Sequence, residues 1–202
     1  INYEHIDQPS NEIDEILDSL NDLVKAGKIR YIGLSNETPW GTMKFLHHSN
    51  ISSTPRVQSI QNAYNLLNRT FEIGGSEIAH REDVGLLAYS PLAQGYLTGK
   101  YQNGKLPKGS RKELFNRLQR YEGPYAEEAI EDYISIAKKY NIDPSQLANQ
   151  FVTTRPFVTS NIIGATSMEQ LKLAVTSIEV DLTKEIEDEI EKAFQKHGNV
   201  AS

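Results

Sequence analysis

Along this chain short apolar runs alternate with amphipathic segments. Over residues 12–26, Ile13, Ile16, Leu17, Leu20, Leu23 and Val24 recur at helical spacing and give a helix one apolar face. Ser10 or Asn11 is placed to cap its start, and Gly27 to end it. Residues 29–34 read as a strand, followed by polar Ser35-Asn36, and residues 38–48 read as a second helix. A strand over 57–60 ends in Gln61-Asn62, a helix is predicted over about 69–81, and a strand over 84–88 ends in Tyr89-Ser90. Residues 126–140 are amphipathic, with Ala126, Ala129, Ile130, Tyr133, Ile134, Ala137 and Tyr140 on one face. Asp143-Pro144-Ser145-Gln146 places an acid at the N-cap and proline at the first helical position, and opens a helix to about Thr154. The last strand spans 157–163. Ser167 and Gln170 then stand at capping-box spacing and open another helix. A final helix covers 183–197, with Ile186, Ile190, Ala193 and Phe194 inward.

Strands separated by helices imply parallel strands with crossover connections, hence a doubly wound sheet or a (β/α) barrel. An eight-fold barrel takes roughly 250 residues. With 202 residues and four strand candidates, this chain reads as about half of one. It carries no internal repeat or low-complexity tract of note. Residue 1 is Ile1, so the chain is expected to be processed or to begin partway through a longer protein.

Composition narrows the classes. Hydrophobic residues at 38% and charged residues at 24% describe an ordinary globular protein. The net charge of −6 argues against nucleic-acid partners. No apolar run approaches the roughly 18 residues of a membrane span, and no secretion signal opens the chain, so a cytoplasmic protein without a membrane partner is expected. With no cysteine there is no disulfide, Cys–zinc site or thiol nucleophile. The five histidines lack metal-ligand spacing, so no metal site is expected.

Candidate chemistry sits after the strands, where ligands meet α/β folds. Those ends carry Ser35-Asn36, Gln61-Asn62, Tyr89-Ser90 and Gly164-Ala165-Thr166-Ser167. Amides and hydroxyls, an aromatic face and a glycine turn into a helix start suit a nicotinamide nucleotide; the same residues are also common in loops and caps. Residues 164–170 resemble a phosphate cradle, in which N–H groups and the helix dipole favour an anion. Residues 91–124 form an unusually long connection. It holds Lys100, Lys105, Lys108, Arg111, Lys112, Arg117 and Arg120 against Glu113 and Glu122, and reads either as a phosphate-clamping lid or as a solvated basic loop. Trp40 is placed to line a pocket or to pack. The acidic run 185–191 reads as a solvated helix face.

Four stretches resemble the aldo-keto reductases: Lys25-Ala26-Gly27-Lys28-Ile29-Arg30-Tyr31-Ile32-Gly33-Leu34-Ser35-Asn36, Gln61-Asn62-Ala63-Tyr64-Asn65-Leu66-Leu67-Asn68-Arg69, residues 88–101, and residues 162–171. They stand in order and at natural spacing over most of the chain, and are most similar to the bacterial Tas-like branch, related to the β-subunits of voltage-gated potassium channels. The resemblance implies a (β/α)8 TIM barrel binding NADP(H), of which this chain is one partial domain covering roughly the second half, strands 5 to 8. In that frame residues 1–11 have no clear place, 91–124 is the cofactor loop, and 183–202 is the C-terminal helix and tail. It further implies Ser35, Asn36 and Gln61 near the nicotinamide carboxamide and Tyr89 against the ring. Ser90, Leu92 and Gly95 would follow the pyrophosphate, with Lys100 and Arg111 as basic contacts. Gly164, Thr166 and Gln170 would serve the adenosine 2′-phosphate end.

Two departures stand out. Where the family usually carries a polar pair such as Glu-Asn after the Gln170 position, this chain has Leu173 and Ala174, which implies weaker adenine contacts. The family's catalytic Tyr, Lys, His and Asp lie on the first four strands, and His5 does not match that His motif, so no catalytic residue is assigned here. The resemblance thus implies the cofactor half of a reductase of small-molecule carbonyls, completed by a missing N-terminal half or another chain. The alternative is a non-catalytic NADP-binding or regulatory module, or a truncated remnant.

Overall fold

The computed structural model describes residues 9–115 and 119–201. Helices and strands alternate: α1 (Pro9–Lys25), β1 (Ile32–Ser35), α2 (Pro39–Ser52), β2 (Val57–Ala63), α3 (Gly75–Arg81) and β3 (Gly85–Tyr89). Then come α4 (Arg111–Phe115), α5 (Ala126–Lys139), α6 (Pro144–Thr153), β4 (Val158–Ile162), α7 (Met168–Thr176) and α8 (Lys184–His197). The strands lie in one sheet in the order β1-β2-β3-β4, so each neighbours the next in sequence. β1 and β2 pair in parallel, with Ser35 opposite Gln61 and a register slip between Ile32 and Gly33. A Cβ on Gly33 would stand 2.6 Å from Ser59 Oγ and 3.1 Å from the Ser59 carbonyl oxygen, so a side chain there would require the Ser59 hydroxyl to turn and the neighbouring strand to give slightly.

Local chemistry explains the boundaries. After α1, Gly27 takes φ +68°, and the N–H groups of Gly27 and Lys28 donate to the carbonyls of Val24 and Leu23, closing the helix in a Schellman motif. Thr38 caps α2 by accepting the Gly41 N–H at 3.0 Å, with Pro39 at its first turn. Asp143 caps α6 through Ser145 N–H at 2.8 Å. Ser167 caps α7 through Gln170 N–H at 3.2 Å.

The helix expected over 69–81 is shorter. Asn65 and Asn68 close a tight turn, Thr70–Glu72 makes one 3-10 turn, and the helix proper begins only after Gly74, at φ +86°. The long 91–124 connection is not structureless. It contains α4 and 3-10 turns at Ala93–Thr98, Gln102–Gly104 and Gln119–Tyr121.

The described residues divide into two compact units, the first built from those up to Asn62 with Gly74–Leu86, the second from Ala63–Ile73 and those from Leu87 onward. In the first, Ile13 and Leu17 of α1, Phe45 and Leu46 of α2, and Val57 and Ile60 of β2 are buried, and His48 Nδ1 meets Asp14 at 2.6 Å. The predicted α1 face is only partly used, since Ile16 and Leu23 are exposed.

In the second unit, Ala129, Ile130, Tyr133 and Ile134 of α5, Leu147 and Phe151 of α6, and Ile186 and Ile190 of α8 are buried with Tyr64 and Leu67. A buried arginine organises one side of it. Arg69 Nε and Nη2 donate to the two oxygens of Glu72 at 2.8 Å each, and Nη1 donates to Glu191 of α8 at 3.0 Å. Its guanidinium stands 3.9 Å from the Phe194 ring centre. Burial works against its charge, but the Glu72 and Glu191 bonds outweigh burial and hold it protonated above the usual arginine range. The Arg69 N–H donates to Asn199, and the Ala201 N–H to the Leu67 carbonyl, so the chain after α8 is tied to the same turn. At the other side, α7 has no buried residue, and Met168, Leu171, Val175 and Ile178 expose an apolar stripe. Among the described residues no helix is long and apolar enough to cross a membrane.

Replacing Arg69 with Met strands Glu72 beside the core, and we expect a loss of about 3 kcal/mol, read from the urea midpoint. A second expectation concerns pH. Asp132 of α5 meets His197 at 2.7 Å and Lys196 at 2.9 Å, and these bonds hold its carboxyl below the usual aspartate range. The unfolded chain then binds more protons just below that range, so stability rises with pH there. The stability difference between the wild type and Asp132→Asn should be full at neutral pH and shrink as pH falls through the depressed value, as urea melts at stepped pH would report.

Candidate cofactor site

In the first unit the ends of β1 and β2 bring three predicted residues together. Asn36 leaves β1 in the left-handed region at φ +55°, which asparagine tolerates. Its N–H donates to the Gln61 carbonyl at 2.9 Å and its amide to Ser35 Oγ at 3.2 Å. Ser35 and Asn36 are exposed and Gln61 is half-buried. Asn62 beside them donates to the Glu37 carbonyl at 3.2 Å, bracing the loop into α2. Trp40, in that helix, is 55% exposed, with the Lys44 ammonium 5.4 Å from its ring. It is not among the buried core residues.

In the second unit the residues after β3 form a tight left-handed loop. Ser90, Ala93 and Gln94 have φ between +48° and +57°, and Gly95 has φ +100°. The Leu92 carbonyl accepts the Gly95 N–H at 2.8 Å. Lys100 folds its side chain over Gly95, so that a Cβ there would meet Lys100 Nζ at 2.8 Å. The lysine ammonium is also 5.1 Å from the Tyr101 ring. Thus Ser90, Leu92, Gly95 and Lys100 belong to one local structure. Tyr89 is half-buried, and its Oη accepts from Arg120 Nη1 at 3.4 Å.

What places this loop was missed from sequence. Asn65 is fully buried in an apolar run. Its Nδ2 donates to the Ser90 carbonyl at 2.9 Å and to Tyr121 Oη at 3.1 Å, while Oδ1 accepts the N–H groups of Leu67 and Asn68. A polar residue inside buried Ala63–Leu67 was the available signal.

The basic segment is less uniformly free than its composition suggests. Arg111 is exposed, and Lys105 and Lys108 are exposed, but Lys112 pairs with Glu122 at 2.5 Å and Arg120 engages Tyr89. Arg117 lies outside the described residues.

The turn into α7 keeps its predicted cap with one change. Gln170 does not complete a capping box. Its Oε1 accepts from the Thr166 N–H at 2.9 Å and from Thr166 Oγ1 at 3.1 Å. Gly164, Thr166 and Gln170 are exposed, and a Cβ on Gly164 would meet nothing within 4 Å. The approach to this backbone is therefore open, but an anion would use the Thr166 N–H only after the exposed Gln170 side chain swings away. Leu173 and Ala174 are half-buried and apolar. Taken by itself, the first unit offers exposed amide and hydroxyl groups at its strand ends; the second offers a loop covered by a lysine and an open helix start. Among the described residues no cluster of His, Asp or Glu could hold a metal ion.

Replacing Asn65 with Leu leaves the buried Leu67 N–H without a partner and takes one hydrogen bond each from the Ser90 carbonyl, the Asn68 N–H and the Tyr121 hydroxyl. A loss of about 3 kcal/mol in urea unfolding is expected, with the 90–95 loop the first region to lose hydrogen-exchange protection.

The chain is 46% identical over 187 residues to the protein named Tas of Escherichia coli, an alignment covering 93% of this chain and 54% of that protein. It is 31% identical over 199 residues to a putative voltage-gated potassium channel subunit beta of Schizosaccharomyces pombe, covering 93% and 57%. It is 31% identical over 182 residues to the L-glyceraldehyde 3-phosphate reductase of Escherichia coli, covering 87% and 52%. The chain thus spans about half the length of these relatives. The pattern that describes the aldo/keto reductase family matches residues 1–195, and the chain belongs to that family.

Proposed function

We propose that this chain is the cofactor-holding half of an NADPH-dependent aldo-keto reductase acting on small aldehydes or ketones. The observation that carries the reading is the left-handed loop at 90–95, held from beneath by Asn65 and covered by Lys100. Such a loop brings a cation and bare backbone to one place, which is what a pyrophosphate needs. When bound, the dihydronicotinamide supplies the hydride. The chain's own residues bind and orient. Ser35, Asn36 and Gln61 offer amide and hydroxyl groups to the carboxamide. Tyr89 offers its ring face, held by Arg120. Ser90, Leu92, Gly95, Lys100 and Arg111 serve the pyrophosphate, and Gly164, Thr166 and Gln170 the 2′-phosphate end.

On this reading the four strands are strands 5 to 8 of a (β/α)8 barrel, and the proton donor belongs to the half outside this chain. Two observations support it. The relatives are nearly twice as long as the aligned region. The apolar stripe of α7 is the kind of surface that barrel closure covers. A second reading, a regulatory NADP-binding module without turnover, draws on the similarity to the putative channel subunit.

The test is NADPH titration by fluorescence. We expect saturable binding, weakened about fivefold or more by Tyr89→Ala through lost ring contact. Turnover of a model aldehyde should appear only when the N-terminal half of a family barrel is co-expressed. Turnover by the 202 residues alone would contradict the assignment of the acid elsewhere, and no binding even in the completed barrel would end the cofactor reading. Binding without turnover in the completed barrel would favour the module.

A further inference from the structure

Within the second unit a cavity of about 270 Å³ opens against α5, and none of the residues given to NADPH above lines it. Its inner wall is aromatic and aliphatic. Tyr96, Tyr101 and Tyr121 are buried, with ring centres 4.8 Å apart for Tyr96 and Tyr101 and 6.1 Å for Tyr96 and Tyr121. Ala126 and Ile130 of α5, also buried, extend that wall. Its outer side is charged, with Lys112, Glu122 and Glu127.

Two of these charges are already joined. The Lys112 ammonium pairs with Glu122 at 2.5 Å and stands 5.5 Å and 5.9 Å from the ring centres of Tyr96 and Tyr101. Glu122 also accepts from Tyr96 Oη, and the bonds from Lys112 and Tyr96 hold its carboxyl below the usual glutamate range. The chain's own ammonium thus shows what this chemistry accepts, a cation over tyrosine rings closed by a carboxylate. Glu127 has no such partner. It is exposed in the first turn of α5 and makes no hydrogen bond or ion pair among the described residues. With Lys112 cancelling Glu122, the lining keeps one negative charge.

We propose that this cavity binds a small organic ammonium, a primary amine on a compact aromatic or apolar body. Glu127 takes the ammonium, and the tyrosine wall with Ala126 and Ile130 takes the body. The charge decides the class. A phosphate or carboxylate would meet two carboxylates with the nearby lysine already engaged, whereas a cation completes the charge balance. Size decides the scale. Small-molecule pockets begin at roughly 300 Å³, so about 270 Å³ admits a fragment-sized body and excludes a nucleotide. The site needs no movement of any segment and does not depend on the cofactor reading.

Amide NMR of the 202-residue chain tests this with 2-phenylethylammonium as the probe. Saturable shifts at Ala126, Glu127 and Ile130 are expected in the millimolar range. 2-Phenylethanol, a similar body without the charge, should bind roughly threefold to fivefold more weakly, and 3-phenylpropanoate should not saturate. Glu127→Gln, a shape-preserving change at an exposed position, should bring the ammonium to the affinity of the alcohol and leave the alcohol unchanged. Equal affinity for ammonium and alcohol, unchanged ammonium binding in Glu127→Gln, or shifts confined to other surfaces would each overturn the site. In the completed barrel NADPH should not displace the amine; displacement would put the cavity in the cofactor's path and overturn its independence. A barrel that binds the amine and not NADPH would leave this site standing and remove the cofactor reading instead.

Discussion

Asn65 makes four hydrogen bonds from the middle of an apolar run, and the loops around it take their places from those bonds. Two of them close the turn that ends β2. The other two reach the Ser90 carbonyl and the Tyr121 hydroxyl, far along the chain. A side-chain amide is suited to this because it offers two donors and two acceptor lone pairs in fixed planar geometry. With all four bonds made, the polar group sits inside the unit without the penalty of an unpaired buried amide. Tyr121 then carries Arg120 on one side and Glu122 on the other, the residues that touch Tyr89 and Lys112. The candidate cofactor loop and the basic segment are thus hung from one buried side chain.

Arg69 plays the matching part four residues on. It pairs with Glu72 and Glu191 and rests on Phe194, so α8 and the chain after it are bound to the same turn. Because Tyr64 also donates to Glu72, burial and this bond raise its phenol well above the usual tyrosine range. This side of the second unit is closed by charge and aromatic contact. The side carrying β4 and α7 is not closed in this way, and its apolar residues face outward. The contrast between α8, whose Ile186 and Ile190 are buried, and α7, with none buried, shows that the two helices solve different packing problems. An amphipathic helix with its apolar stripe exposed has the pattern of a core helix without its core, which accords with a chain that spans about half of its relatives.

Features set by neighbours in sequence were legible in advance. The Asp143-Pro144 start, the Ser167 cap and the Gly27 stop are each determined within a few residues, and the structure has them where the pattern puts them. The alternation of strands and helices was legible for the same reason. The helix expected over 69–81 failed because the apolar spacing there serves a turn and a 3-10 turn, and Gly74 resets the backbone. Of the candidate site, the strand-end residues were readable because their position after a strand marks them. The reach of Asn65 and the ties of Arg120 to Tyr89 and of Lys112 to Glu122 were not readable, since those partners lie from 10 to 56 positions away. Gln170 shows a subtler limit: its spacing from Ser167 fits a capping box, yet its oxygen accepts from the Thr166 N–H and hydroxyl instead.

The two candidate phosphate-facing loops differ in how much of their form exists before a ligand arrives. At 90–95, three non-glycine residues hold positive φ, each a strain on the order of 1–2 kcal/mol that persists only where surroundings enforce it. Here the enforcement is visible in the Asn65 bond to Ser90, the Ala93 N–H on the Ser90 carbonyl, and the burial of Ala93, Tyr96 and Leu97 beneath. A loop already ordered loses little freedom on binding. At 164–170 the opposite holds, because Thr166 has both its N–H and its hydroxyl satisfied by an exposed glutamine. An anion there must first displace Gln170, trading one set of hydrogen bonds for a charge-assisted set. On the cofactor reading, the preformed loop supplies general nucleotide affinity, while the exchange at Gln170 is made only for a ligand with a phosphate to offer. Selectivity for the 2′-phosphorylated nucleotide would then come from the differential interaction at a side chain that moves.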